Sequence, residues 1–403
     1  MRNALAIARY LTREGWARVK PALEVVSAAG WLVLCCALVA LTLAVVFGWA
    51  EFVFIGTTAA AALLMAAAFV FGRHRFEVSI DLTPRRVVAG ERAMGRITVV
   101  NRAQKRSSPT RMELPVGSGV AEFMIPGLDP GAEHEELFAV PTQRRAVIDA
   151  GPALSVRGDQ LGLLRRTLRW SEPVELFVHP LTRRLSPSAA GLVRDIEGEV
   201  TKKITNSDIS FHALRPYEPG DDLRHVHWRT SARSGTLMVR QFEETRRSQL
   251  TIVHPADRRY YRDQDEYELA VSVLASLGSQ VIRDGTQLSI VSEERALRTR
   301  TVTAMLDDSC RLDPVASRFD SPREFARAAT LRLPPPSVVL IVTGSGMPLS
   351  DFRAIERLFG SDTQTLGFRA ALDDPSRIMS VGGLAVVSLN TLDDLSGLAR
   401  RVR

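Results

Sequence analysis

Two runs without a single charge stand almost back to back near the start of the chain. From Val25 to Ala50 it reads VVSAAGWLVLCCALVALTLAVVFGWA and from Phe52 to Gly72 FVFIGTTAAAALLMAAAFVFG, with only Glu51 between them. At about 1.5 Å per residue these 26 and 21 positions reach roughly 39 and 31 Å, enough to cross a hydrocarbon core of about 30 Å. A one-residue interruption forces the two helices into a hairpin whose turn barely leaves the bilayer. Trp31 and Trp49 lie near the two ends of the first run, where indoles favour the interface. A cleaved signal peptide is the competing reading. More than twenty residues precede the apolar run, however, and a second run follows at once.

Flanking charge gives the orientation. Arg2, Arg9, Arg13, Arg18 and Lys20 precede the first run, Arg73 and Arg75 follow the second, and the turn has no basic residue. Both flanks are therefore expected in the cytoplasm, with residues 1–24 as a basic segment, 25–72 as the hairpin, and everything beyond 73 inside. Three cysteines, two of them in the apolar run, build neither a disulfide framework nor a paired-cysteine zinc site, which fits a reducing compartment.

The 403 residues leave room for two or three further units. From 73 to 185 short alternating runs such as RFEVSIDL, RITVVN, TRMELPV and PVELFVHP are separated by turn residues, as in PGLDPGAE and DAGP. Seven to nine strands in that span predict an antiparallel β-sandwich. Asp159, in RGDQLGLL, reads as a turn acid, and an RGD tripeptide in a cytoplasmic domain carries no adhesive meaning.

Over 250–403 the period alternates between strand and helix. SQLTIVH, TQLSIVS, PSVVLIVTGS, TQTLGF and GLAVVSLN read as strands; DEYELAVSVLASLGSQVIRDG, SPREFARAAT, LSDFRAIERLFG (with Ser350 as N-cap) and TLDDLSGLARRV read as helices. Such alternation predicts a mostly parallel sheet with right-handed crossovers and an α/β fold, whose ligands would sit beyond the carboxyl ends of the strands.

Between the two lies a segment, 186–249, containing LRPYEPGDDLRHVHWRTSARSG at 214–235. Read from its residues, this stretch supports several chemistries. A hydrolase would use Ser231 or Ser234 with His225 or His227 as base and Asp221 as orienter, but no nucleophile-elbow pattern surrounds either serine. A metal site would take His225 and His227, two apart on one strand face, with Asp221 or Asp222; four nearby arginines repel a cation. Arg215, Arg224, Arg229 and Arg233 could grip a phosphate or an acidic partner. The favoured reading is structural. Pro219-Gly220 forms a type II turn, LRHVHW leaves it as an extended run, and the arginines are neutralised by Glu218, Asp221, Asp222, Glu243 and Glu244. An interaction surface is compatible with such a charged knot.

The longer run LRPYEPGDDLRHVHWRTSARSGTLMVRQFEE resembles the signature of domain-of-unknown-function family fifty-eight (DUF58), in its Arg215, Tyr217, Pro219, Gly220, Asp221, Asp222, Arg224, Trp228, Ser231 and Arg233. The resemblance implies a hairpin, a sandwich, this motif and then a domain similar to the von Willebrand factor type A fold. It further implies partnership with a MoxR-type AAA+ ATPase in envelope-related assembly or regulation. Domains of that A type often hold Mg²⁺ through an Asp-x-Ser-x-Ser loop. Here His254, Ala256 and Arg258 occupy those positions, with Thr343-Gly344 near the fourth-strand position, so no metal is expected unless Asp257 or Asp308 supplies the ligand.

The net charge of +7 raises nucleic-acid binding as a further possibility. Only Lys20, Lys105, Lys202 and Lys203 are lysines among 52 basic residues, and the arginines are spread along the chain instead of forming the stripe that a phosphate-backbone binder needs. The reading that results is a non-enzymatic plasma-membrane adaptor without cofactor or nucleic-acid partner. A tethered hydrolase and a cation-dependent protein-binding A domain are the alternatives.

Overall fold

The structure, a computed structural model, describes residues 25–70, 75–159, 161–185, 204–205, 210–243 and 249–401. The chain divides into two compact units: one runs through Gln143 and includes Val147–Phe177, and the other comprises Arg144–Ala146 and the residues from Val178 onward. The basic segment 1–24, Arg73, and the acid Glu244 lie outside the described residues.

The first unit begins with helices α1 (Ala28–Phe47) and α2 (Ala50–Val70), both long and apolar enough to cross a membrane. Gly48, with φ of 72°, caps α1 and makes the turn. Glu51 therefore does not separate the spans as expected but lies in the first turn of α2, where a carboxylate suits the positive helix end. The rings of Phe47, Trp49 and Phe52 cluster around the turn with centroids 5.6 Å apart in each successive pair. Close helix approach depends on Gly56, because a Cβ there would come within 2.7 Å of Leu41.

Ten strands follow: β1 (Phe76–Asp81), β2 (Arg86–Val88), β3 (Ala93–Asn101), β4 (Thr110–Val116), β5 (Gly119–Ile125), β6 (Glu133–Val140), β7 (Ala146–Ala150), β8 (Leu154–Gly158), β9 (Arg165–Arg169) and β10 (Val174–His179). One sheet has the order β1-β3-β6 and the other β2-β10-β7-β4-β8-β9, with β5 beside β4. The pairings β1–β3, β3–β6, β4–β5 and β8–β9 are antiparallel. Burial alternates along β3 and β4, as a strand with one core face and one wet face requires.

The hairpin's base is bolted to the second of these sheets. Ser27 caps α1 by accepting from Gly30 N at 3.0 Å, while its own hydroxyl donates to Gly162 O and Leu163 O at 2.6 and 2.9 Å. Val26 bridges Leu164, and Gly30 presses so close that a Cβ would lie 2.1 Å from Leu163 O. Beneath these contacts Ala66, Val70, Leu163 and Leu164 form a buried cluster. Asp159 shapes the loop by accepting from the backbone N–H groups of Leu161, Leu163 and Leu164 at 2.9, 3.2 and 2.7 Å, so it is a turn acid.

In the second unit β11 (Ile204–Thr205) and β12 (Ser210–Pro216) flank β13 (Met238–Glu243), and helix α3 (Trp228–Ser234) lies between β12 and β13 in sequence. Then come β14 (Gln249–His254), α4 (Gln264–Arg283), β15 (Gln287–Ser292), β16 (Ala296–Leu297), α5 (Val302–Ser309), α6 (Pro322–Thr330), β17 (Val338–Thr343), α7 (Leu349–Glu356), β18 (Gln364–Ala370), β19 (Arg377–Val381), β20 (Leu384–Leu389) and α8 (Asp394–Ala399). The sheet order is β16-β15-β14-β17-β18-β20-β19, parallel through its five middle strands and antiparallel at both edges. Strands β14 and β17 are buried at every residue, which is why they read as unbroken apolar runs. The cap of α7 is Pro348 without a side-chain bond, and Ser350, the expected cap, is already inside the helix.

Candidate functional site

The signature segment is built outward from one turn. Asp221 N donates to Glu218 O at 3.1 Å, and Gly220 takes φ of 113°, a left-handed value that favours glycine at the third position of a type II turn with Pro219 before it. The Asp221 carboxylate then accepts from both terminal nitrogens of Arg215, at 2.6 and 2.5 Å, and from Glu218 N at 2.9 Å. This two-pronged bond, followed by the Glu218 amide, holds the Asp221 carboxyl below its ordinary range. Tyr217, half-buried, is fixed by its amide to Leu237 O at 2.8 Å.

Beyond the turn the chain departs from the extended run that its sequence suggests. Asp222 accepts from Arg224 N at 2.9 Å and so caps a single 3₁₀ turn, Leu223–His225. His227 caps α3 with Nδ1, which accepts from Thr230 N at 3.2 Å and meets Thr230 Oγ1 at 2.8 Å. The two histidines thus do not share a strand face. Ser231 Oγ donates to His227 O at 3.1 Å and accepts from Met238 N at 2.9 Å, stapling α3 to β13; it is buried. Ser234 Oγ donates to Thr230 O and Thr236 O at 3.0 and 3.1 Å. Each hydroxyl proton proposed for a nucleophile is given to a backbone carbonyl.

Two of the acids, Asp221 and Asp222, are taken up by this architecture, and among the described residues three of the arginines are left without an acid. Asp221 neutralises Arg215, whereas Asp222 serves a backbone amide. Among the described residues Arg224, Arg229 and Arg233 have no ion pair, and all three are exposed. Among the described residues the expected mutual neutralisation is seen for one arginine of the four, because a carboxylate committed to a cap cannot also reach a distant guanidinium. Of the other expected counter-charges, Glu218 is exposed and forms no ion pair among the described residues, while the Glu243 side chain and Glu244 lie outside the described residues. Arg229 and Arg233 stand four apart on α3, a like-charge spacing that costs a few tenths of a kcal/mol, about 0.3. Apolar groups accompany them: Leu223 is 58% and Trp228 66% exposed.

The carboxyl edge of the parallel sheet is the other expected site. His254, at the end of β14, is wholly buried; Nδ1 meets Ser292 Oγ at 3.0 Å and Nε2 meets the Tyr261 hydroxyl at 3.2 Å. Burial, then the charge of Arg145, push its pKa down to about 3, so the ring is neutral and both nitrogens are engaged. Ala256 is buried, and exposed Arg258 donates through Nε to Pro314 O at 2.8 Å. Asp257 is paired with Arg259 at 2.6 Å and Asp308 with Arg298 at 2.7 Å. The crevice between β14 and β17, where the strand order reverses, is filled by backbone: a Cβ on Gly344 would meet Tyr260 O at 2.2 Å and one on Gly346 would meet Arg259 O at 2.5 Å. Glu266 secures that contact by accepting from Ser345 N and Oγ at 2.6 and 2.9 Å. Among the described residues no group of three or more His, Cys, Asp or Glu side chains is arranged to hold a metal ion.

Sequence reading missed Arg145. Its side chain is 2% exposed, bonds Glu268 through Nε and Nη2 at 2.9 and 3.0 Å, and donates from Nη1 to Ser309 O at 2.8 Å. The partners lie 123 and 164 positions away, so no local pattern announces them.

With this geometry in place, comparison with known proteins gives a family match to one part of the chain. The model of the family described as protein of unknown function DUF58 matches residues 213–305. That stretch holds the signature turn, α3, β13, β14, α4 and β15. A curated relative, the uncharacterized protein YeaD of Bacillus subtilis strain 168, is 32% identical over 136 residues, 34% of this chain and 33% of that protein. The chain thus spans about a third of that relative's length. Among solved structures, the CARDB domain of the PF1109 protein from Pyrococcus furiosus, in complex with di-metal ions, is 13% identical with a TM-score of 0.20, covering 27% of this chain and 90% of its own. The sporulation control protein Spo0M of Bacillus subtilis is 13% identical with a TM-score of 0.17, covering 36% of this chain and 58% of its own. Overlaps this loose carry no argument about fold or site.

Proposed function

We propose that the chain is a non-enzymatic adaptor of the bacterial inner membrane. In this reading α1 and α2 are a transmembrane hairpin with both ends in the cytoplasm. The strands β1–β10 are an antiparallel sandwich. The parallel sheet with its helices is a von Willebrand factor A-like domain without a cation loop. The signature segment docks an acidic protein partner, and the resemblance of its sequence names the class, a MoxR-type AAA+ ATPase acting in envelope-related assembly or regulation.

One observation carries this reading: Leu223 and Trp228 are exposed beside Arg224, Arg229 and Arg233, which have no counter-charge among the described residues. Tryptophan and arginine dominate the energetics of protein interfaces, and unspent guanidinium groups on a rigid turn supply electrostatic selectivity. Anchoring in a bilayer would add effective concentration for a partner working at the same surface. The commitment of His227 to a helix cap and of Ser231 and Ser234 to backbone hydrogen bonds favours a binding role over a hydrolytic one.

The test uses the full chain in mild detergent with a purified MoxR-type AAA+ ATPase. Wild type is expected to bind with salt-sensitive affinity and to change ATP turnover. A variant carrying Arg224→Gln, Arg229→Gln, Arg233→Gln and Trp228→Ala should bind at least about tenfold more weakly. Equal binding by wild type and variant would sink the docking role of this segment.

A further inference from the structure

The pairing of β8 with β9 sets Arg157 directly opposite Arg166. Side chains facing each other in an antiparallel pair stand about 5 Å apart at Cβ, and like charges there repel. The acids nearby are already spoken for: Arg165 bonds Glu113 at 3.0 Å, Arg111 bonds Glu122 at 2.6 Å, and Arg169 bonds Glu172. Asp159, two residues beyond Arg157, turns its carboxylate into its own loop. Among the described residues neither Arg157 nor Arg166 has an ion pair, and both are only half-exposed. Burial, then the facing Arg166, pull the Arg157 guanidinium below its ordinary value, the behaviour of a cation lacking an anion.

The location supplies the anion. Arg166 is two residues, about 7 Å of strand, from Leu164, which bridges Val26 at the foot of α1. Leu161, at the tip of the same loop, is 69% exposed beside the end of the apolar hairpin. We propose that Arg157 and Arg166 bind the phosphate of an anionic phospholipid headgroup, with Leu161 entering the edge of the bilayer. A phosphate oxygen pair set between two guanidinium groups converts their repulsion into two charge-assisted contacts. The inference rests on the transmembrane reading of α1 and α2 proposed above.

The full chain, delipidated in mild non-ionic detergent, is titrated with phosphatidylglycerol or phosphatidylcholine, and bound lipid is counted by native mass spectrometry. Phosphatidylglycerol should be retained selectively, and Arg157→Gln with Arg166→Gln should weaken it roughly 25-fold, about fivefold per arginine. Arg102→Gln, at an exposed arginine paired with Glu77, should leave retention unchanged. Equal retention of the two lipids, indifference to the double variant, or displacement by excess inorganic phosphate would each overturn the headgroup site. Thermal unfolding gives a second readout that does not depend on mass spectrometry. Phosphatidylglycerol should raise the wild-type midpoint and leave that of Arg166→Gln unmoved, whereas without anionic lipid the variant should unfold at the higher temperature. Vesicle flotation separates this proposal from its premise: a chain that fails to float overturns both, and one that floats without lipid preference overturns only the site.

Discussion

A guanidinium with 2% exposure has to find every partner it needs inside the protein, and Arg145 does so with Glu268, Ser309 O and the face of Tyr267, 5.7 Å from the ring centroid. Removing one member of such a pair leaves the other charge partly buried and unpaired. Arg145→Met is expected to destabilise the second unit by about 3 kcal/mol, read as a lower urea midpoint with unchanged slope; a shift within error would refute the burial argument. His254 adds a pH dependence of definite sign. Its folded pKa is about 3, while an unfolded histidine titrates near 6.5, so between these values the unfolded chain binds the extra proton. The neutral ring's stability is intact above about pH 6.5 and is drained as the pH falls. Between pH 7.5 and 5 the loss from this group should be about 2 kcal/mol, and His254→Gln should lack that part of the slope. Parallel stability curves for the two proteins would show that the ring already titrates normally.

At the scale of elements, the contact of α1 with the loop 159–164 is the joint most open to mutation. Ser27→Ala should cost about 1 kcal/mol as a lost cap, and Asp159→Ala more, since three backbone donors lose one acceptor. Gly30→Val places a side chain where Leu163 O already sits; limited proteolysis at the 159–164 loop should become markedly faster, and an unchanged rate would mean the joint is loose in solution. The two long apolar helices were legible as helices, because twenty uncharged residues in a row leave few other structures, but their ends were not. Val25–Ser27 looks like helix, yet Val26 is claimed by Leu164, a partner chosen by tertiary contact and invisible locally. The strands β14 and β17, buried throughout, and β15, β18 and β20, buried over most of their length, were readable as apolar runs, while the short edges β16 and β19 and the helix α5 gave no comparable signal. In the signature, Pro219-Gly220 announced its turn correctly, but competition from the Asp222 and His227 caps coiled the run that alternation made look extended. The same competition hides the pairing of the arginines: counting acids does not reveal that Asp222 caps backbone instead of meeting a guanidinium.

For the molecule as a whole, Cys310 offers a reporter of unfolding. Burial pushes its thiol up to about 12, and the sulfur is bonded to Val178 O and Leu306 O at 3.1 and 3.2 Å. In a Cys35→Ser, Cys36→Ser background its maleimide labelling should track the denaturation curve of the second unit and be negligible before it. Rapid labelling of the native chain would show that this unit opens locally. The joint at Ser27 has a mechanical meaning of its own. Helices gripped by hydrogen bonds, a glycine contact and a shared apolar cluster act as a stiff shaft, not a leash. Torque applied to the strands would then be delivered to the helical hairpin with little slack, so that strands and helices would turn as one piece.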